Sequence, residues 1–339
     1  ATLPVFEALP WAAATTGSLG EGTKSLPASR TGIDHQWSWD SVADAGTMSG
    51  YIIFRMRPLD EKLEVGTWNY MKEKFHLVNE TIFTDPDAEL PTPLTGGQAV
   101  LLSDTSVLYI GGGSDDTTPS DFAAIFYPGL SQTTKGTMAE IAGGMNHARI
   151  GHTATRLDDG TVLIVGGRGA SADALNSAEI FDPATKTFTL LTAKLGGMRR
   201  YHTATLLRDG FVLIAGGEDE TGKATDDAWL YNPDDETFSS AGKFADGIRA
   251  MAQAVRLPGG RVLIAGGSGT GPALNSVEIY DPVAGAFIAT DVANDMESAR
   301  IGLSLTETTF DPIAVVAAGG MASPPTSSIE RFDWDDDTW

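Results

Sequence analysis

Five short apolar runs punctuate the chain, each closed by paired glycines: VLYIGG (107–112), VLIVGG (162–167), VLIAGG (212–217), VLIAGG (262–267) and VVAAGG (315–320). Ahead of the second run lies HTATRL (152–157), which alternates small and large residues and is joined to it by the turn formers of LDDGT. Beyond four of the runs an aromatic residue ends a third segment and another follows seven positions later, at Phe181 and Phe188, Tyr231 and Phe238, Tyr280 and Phe287, Phe332 and Trp339. Alternation with period two marks a half-buried strand, an Asp-Gly pair marks a hairpin, and an unbroken apolar run of strand length has to be covered on both faces. Each unit is therefore predicted to be a four-stranded antiparallel meander, its second strand sandwiched between neighbouring sheets.

The units recur about every fifty residues, the spacing of propeller blades. Packing blades side by side covers both faces of every second strand, and glycine at the strand's end lets a neighbouring backbone come close. A double glycine after the second strand, an aromatic on the third and another about seven residues later resemble the kelch repeat. The resemblance runs from about residue 93 to the end and is strongest over 149–191 and 199–240. The R-x-x-H-T-A-T pattern with DG, VLI-x-GG and an aromatic-Asp/Asn-Pro turn is similar to bacterial extracellular kelch proteins and to the propeller domain of galactose oxidase-like proteins. The resemblance implies an all-β, six-bladed kelch-type β-propeller. Residues 35–80 are expected to supply the remaining blade, with HQWSWDSV, GYIIFRM, VGTWNYM and KFHLVNE as its strands, although Arg55 and Met56 stand where other copies carry glycines. The last copy reaches Trp339 before its fourth strand, so residues 3–9 (LPVFEAL) are expected to complete that sheet and close the ring. The organisation expected is 1–34 as closing strand and connection and 35–339 as propeller, in a single domain.

Strand direction then divides the loops between two faces. Short first-to-second and third-to-fourth turns share one end of the blades. Longer, mutually dissimilar second-to-third loops and the blade-to-blade links share the other, which is the expected binding surface because loop variation on a rigid scaffold carries specificity.

Composition removes several classes of function. Lys and Arg total 23 against 45 Asp and Glu, a formal charge of −22, so nucleic acid is not an expected partner. No apolar run approaches the roughly 18 residues of a spanning helix, and no membrane insertion is expected. There is no cysteine, which excludes disulfides, thiol nucleophiles and the tyrosine–cysteine copper site of galactose oxidase-like proteins. A start at ATLPVF without Met gives an expectation of an extracellular or periplasmic location.

Candidate chemistry centres on arginine. Arg149, Arg199, Arg249 and Arg300 recur in register at the start of the innermost strands, with Arg200 beside the second of them and His147 just ahead of the first. Guanidinium groups gathered at the mouth of a central channel would hold a carboxylate, sulfate or phosphate. A residue repeated in every good copy also suits an architectural role, bonding a neighbouring carbonyl or carboxylate. His152 and His202 share one repeat position, replaced by Ala252 and Leu303 further on, and suit structural hydrogen bonding better than a metal pair, which needs three or four converging ligands. Acidic clusters at Asp115, Asp116 and Asp121, at Glu218, Asp219 and Glu220 and at Asp335, Asp336 and Asp337 lack EF-hand spacing. No cofactor is expected, and solvated acidic loops that could take up adventitious calcium are the reading of these clusters.

No nucleophile elbow, phosphate-binding loop or zinc-protease helix occurs. The leading expectation is a non-enzymatic binding module for a protein, peptide or glycan. Its alternatives are a carbohydrate-active enzyme, by resemblance to six-bladed kelch-like epimerases of sialic acid, and a structural module of a secreted or surface assembly.

Overall fold

The computed structural model describes residues 49–52, 55–56, 69–70, 75–78, 90, 94–115, 117–128, 136–171, 174–289, 295–308, 314–321, 328–333 and 339. Every regular element among them is a β-strand. The chain divides into two compact units, 1–85 and 86–339.

In the first unit, β1 (Ser49–Ile52) pairs with β4 (Phe75–Val78) and β2 (Arg55–Met56) with β3 (Asn69–Tyr70), all antiparallel. The described strands thus nest as the two arms of one hairpin. The meander expected over 35–80 is corrected accordingly: the segment expected to be outermost pairs with the beginning of the expected second strand. The reason is visible in the residues. This stretch lacks the glycine pair that ends the second strand of the other sheets, although Trp68 and Phe75 keep the seven-residue aromatic spacing. Its expected inner strand, residues 35–42, the closing strand, residues 3–9, and the connection 11–34 lie outside the described residues.

Among the described residues the second unit holds five blades, and the total is five rather than the expected six because the blade expected over residues 35–80 does not form as a meander. Blade I comprises β5 (Gln98–Leu101), β6 (Val107–Ile110), β7 (Ala123–Tyr127) and β8 (Thr137–Glu140). Blade II comprises β9 (Thr153–Arg156), β10 (Val162–Val165), β11 (Ala178–Asp182) and β12 (Thr187–Leu190), and blade III β13 (Thr203–Leu206), β14 (Val212–Ala215), β15 (Asp227–Asn232) and β16 (Thr237–Lys243). Blade IV runs through β17 (Gln253–Arg256), β18 (Val262–Ala265), β19 (Val277–Asp281) and β20 (Ala286–Ala289). Blade V shows β21 (Ser304–Glu307), β22 (Val315–Ala318) and β23 (Ile329–Phe332). All five are antiparallel meanders in sequence order, and the innermost strands β5, β9, β13, β17 and β21 are successive neighbours.

The second strands explain the stacking. All four residues of β10, β14 and β18 are buried. Val162 and Ile164 enter the core shared with Leu108 and Ile110 of blade I, whereas Leu163 and Val165 enter the core shared with Val212 and Ile214 of blade III. Leu213 and Ala215 meet Val262 and Ile264, and Leu263 and Ala265 meet Val315 and Ala317, by the same alternation. One strand with period-two geometry therefore belongs to two cores, so neither of its faces can be polar. The paired aromatics sit directly opposite each other on the third and fourth strands: Phe181 and Phe188 rings lie 4.7 Å apart, Tyr231 and Phe238 5.1 Å, Tyr280 and Phe287 4.9 Å. Tilted rings at these separations add to the burial of their area.

The glycine pair serves the seam between blades. Gly166 has φ 62°, and a Cβ there would lie 2.5 Å from the carbonyl oxygen of Arg199 in the next blade. Gly167 N–H donates to that carbonyl at 2.9 Å. Gly217 to Arg249 and Gly267 to Arg300 repeat the bond at 2.9 and 2.7 Å.

Candidate functional site

The arginines that open the innermost strands are the first candidates, and the structure seals them inside the sheets. Arg149, Arg199, Arg249 and Arg300 are at most 1 % exposed. Arg149 Nη2 donates to Glu179 Oε1 at 2.9 Å and to Ser177 Oγ at 2.9 Å, while Nη1 donates to the Gly166 carbonyl at 2.6 Å. Glu179 is fully buried and also accepts the backbone N–H groups of Asn146 and His147, at 2.7 and 3.1 Å. Arg249 with Ser276 and Glu278, and Arg300 with Ser328 and Glu330, repeat this node. Burial is the dominant influence on Glu278 and pushes its pKa up; Arg249 and the backbone donors at Ala245 and Asp246 oppose it.

A buried guanidinium needs such partners, because an unpaired charge in the interior costs several kcal/mol. The donors of these four residues are thus turned into the blades, and the expected ring of anion-binding groups at the channel mouth is corrected to a set of pins. His147 belongs to the same node, its backbone bound to Glu179 and its Nδ1 3.1 Å from Ser177 Oγ. Arg200 stays near the surface, paired with Glu218 at 2.8 Å and lying 5.4 Å from the centre of the Tyr201 ring.

The acidic partners had a sequence signal that arginine spacing alone did not reveal: Ser-x-Glu at 177–179, 276–278 and 328–330, with glutamate two positions before the buried aromatic. Blade III departs from it. Trp229 occupies the glutamate position, opposite Ile214 as Glu179 is opposite Ile164, and Asp227 takes the serine position. Arg199 Nη2 donates to Asp227 Oδ2 at 2.6 Å, and Trp229 Nε1 donates to the same oxygen at 2.6 Å. Burial pushes the Asp227 carboxyl up, but Arg199 and the hydrogen bonds of Trp229 and Thr225 prevail and hold its pKa below the usual value.

Two residues beyond each arginine, the innermost strands are stitched together. Gly151 N–H donates to Gly96 O at 3.3 Å, Tyr201 to Gly151 at 2.8 Å, Met251 to Tyr201 at 2.9 Å and Gly302 to Met251 at 3.0 Å. All five residues have left-handed backbone, with φ from 54° to 67°. Glycine adopts it freely, whereas in Tyr201 and Met251 it costs roughly 1–2 kcal/mol. Strained backbone of this kind is found at sites where side-chain placement matters.

Just below this rim lies an open cavity of about 260 Å³ lined by the innermost strands of blades I to IV. Gln98, Thr153, Thr203 and Gln253, the first residues of those strands, line it with Tyr201, His152 and His202. None of its lining residues is Asp, Glu, Lys or Arg. His202 Nε2 is 2.8 Å from Thr153 Oγ1, across the seam between blades II and III. Neither ring nitrogen of His152 has a hydrogen-bond partner among the described residues. Burial, reinforced by Arg149, holds the His152 pKa down at about 3; burial, then Arg199, His152 and Arg149, depress that of His202. Both imidazoles are neutral at physiological pH.

The acidic loops engage their own turns. Asp115 accepts the backbone and hydroxyl of Thr117, and Asp219 those of Thr221. Among the described residues no three His, Asp or Glu side chains converge as metal ligands. Asp116 and 335–337 lie outside the described residues.

Comparison with known proteins agrees with this architecture. The Kelch motif matches residues 141–193, which contain blade II. The solved structure of YjhT is similar over 69 % of this chain and 74 % of its own, with a TM-score of 0.53 and 14 % sequence identity. No curated protein sequence matches the chain. A Kelch motif, the five repeated meanders and a propeller neighbour together identify this chain as a kelch-repeat β-propeller.

Proposed function

We propose that the chain is a non-enzymatic binding module whose ligand, a protein, peptide or glycan, enters the uncharged cavity from the face carrying the long second-to-third loops. The observation that carries this reading is the cavity itself, a hollow at the strained rim of the innermost strands lined by hydroxyls and amides. Pockets with a few convergent polar groups are the default binding sites of rigid scaffolds. The enzyme reading asked arginines to clamp a sugar acid, and those arginines are engaged with Glu179, Asp227, Glu278 and Glu330.

Screening the protein against glycan and peptide arrays, with two matched variants alongside, tests the reading. Gln253→Trp fills the cavity and is expected to abolish the binding found. Val283→Trp places the same bulk on an exposed turn at the opposite end of blade IV and is expected to leave it intact. The reverse result would place the ligand elsewhere.

A further inference from the structure

We infer that the cavity accepts an uncharged sugar unit, with Tyr201 as the residue that determines this specificity. The inference rests on the binding reading above and names the ligand class for the same site. Three features point there. First, polar side chains converge and charge is lacking: the amides of Gln98 and Gln253 face one small volume with Thr153 and Thr203, whose hydroxyls also contact His202 Nε2 and the Ala215 carbonyl. An ionic ligand would lose its hydration without gaining a counter-ion. The charged groups nearest in sequence are already paired, Arg199 with Asp227 and Arg200 with Glu218.

Second, the volume of about 260 Å³ lies below the roughly 300–1,000 Å³ of pockets for drug-sized ligands, which suits a single ring bearing hydroxyls. Third, Tyr201 supplies an aromatic body with a polar tip at the wall, the combination that packs against the apolar face of a sugar while leaving its hydroxyls to amides and threonines. At this position blades I, II and V carry glycine, so the stitching of the rim does not require a side chain. A tyrosine kept in left-handed backbone therefore points to a use for the ring itself. Its edge already rests against Gly151, where an added Cβ would lie 2.6 Å from Tyr201 Cε1, so the ring is held in place before any ligand arrives.

The test uses the 339-residue chain and saturation-transfer NMR, followed by titration calorimetry. Its probes are methyl galactoside, methyl glucoside and N-acetylglucosamine as neutral sugars, glucuronic acid and N-acetylneuraminic acid as charged ones, and an uncharged polar hexapeptide. At least one neutral sugar is expected to bind tenfold or more tightly than either acid. Tyr201→Gly is expected to weaken that binding at least tenfold while the protein stays folded, and Tyr201→Phe to retain most of it. Equal or tighter binding of an acidic sugar overturns the inference, as does binding of none of the neutral sugars. Peptide binding without sugar binding, abolished by Gln253→Trp, overturns the sugar inference while leaving the cavity as the binding site. Sugar binding untouched by Gln253→Trp overturns both.

Discussion

Blades I and II share a fold and differ in what holds it. In blade II the seam node is ionic: Arg149 at the head of the innermost strand meets Glu179 on the third strand, both fully buried. In blade I the corresponding positions are Leu94 and Ala124, as the register shows: Thr95 bridges Gly113 as Ile150 bridges Arg168, and Ala124 faces Tyr109 as Glu179 faces Ile164. Both partners of the pair are missing together. Gly97 takes the position of His152, and the space above it is filled by the Tyr109 hydroxyl. A blade of this kind can therefore be built with or without its buried ion pair, but not with half of one. That asymmetry follows from desolvation: an intact buried pair contributes little net stability, whereas a lone buried charge is costly.

The largest effect should come from creating the half-pair. Arg149→Leu leaves the fully buried Glu179 without its counter-charge and is expected to cost about 3–5 kcal/mol, read from the shift of the urea midpoint at pH 7. A loss below about 1 kcal/mol would show that the node behaves as a surface pair.

Acidification should divide the blades that carry buried histidine from those with Ala252 and Leu303 at the same position. His152 and His202 are neutral when folded, so the unfolded chain binds more protons below the ordinary histidine pKa of about 6.5. Stability is therefore full above pH 6.5 and falls as the pH drops below it; for His152 the fall continues down to the folded pKa of about 3. Between pH 6.5 and 5 the cost is up to about 2 kcal/mol for each histidine. His202→Leu, which copies blade V, should flatten this slope by roughly half; an unchanged slope would assign it to carboxylates.

Blade III sharpens the comparison because its acid is less enclosed. The Asp227 side chain is 32 % exposed, so water can solvate it once the guanidinium is gone. Arg199→Leu is expected to cost about 1–3 kcal/mol, less than Arg149→Leu under the same conditions. The smallest effect belongs to Tyr201→Gly, where relief of left-handed strain offsets the entropy of glycine and the melting temperature should move by no more than the equivalent of about 1 kcal/mol.

The glycine pairs, the doubly covered second strands and, in blades II to V, the aromatic spacing were legible in the sequence because each is a steric demand repeated from blade to blade. The count of six was not, since residues 49–78 lack the glycine pair and their described strands pair as nested hairpin arms. The arginine register was legible too, though spacing gives a residue's place and not its direction. Ser177, Glu179 and their equivalents supply the direction, and Trp229 obscures it in blade III. The cavity was hidden for a different reason: Gln98, Thr153, Thr203 and Gln253 are ordinary strand residues whose convergence depends on four blades meeting.

The most direct test of the pinning account is a double-mutant cycle of Arg149→Leu and Glu179→Met, with unfolding free energy and ligand binding measured on all four proteins. The account predicts that the double variant recovers a substantial part of the single losses, a coupling of about 2–3 kcal/mol, and that binding in the cavity is unchanged. Losses that add within about 0.5 kcal/mol, or an Arg149→Leu protein of full stability that no longer binds, would contradict it.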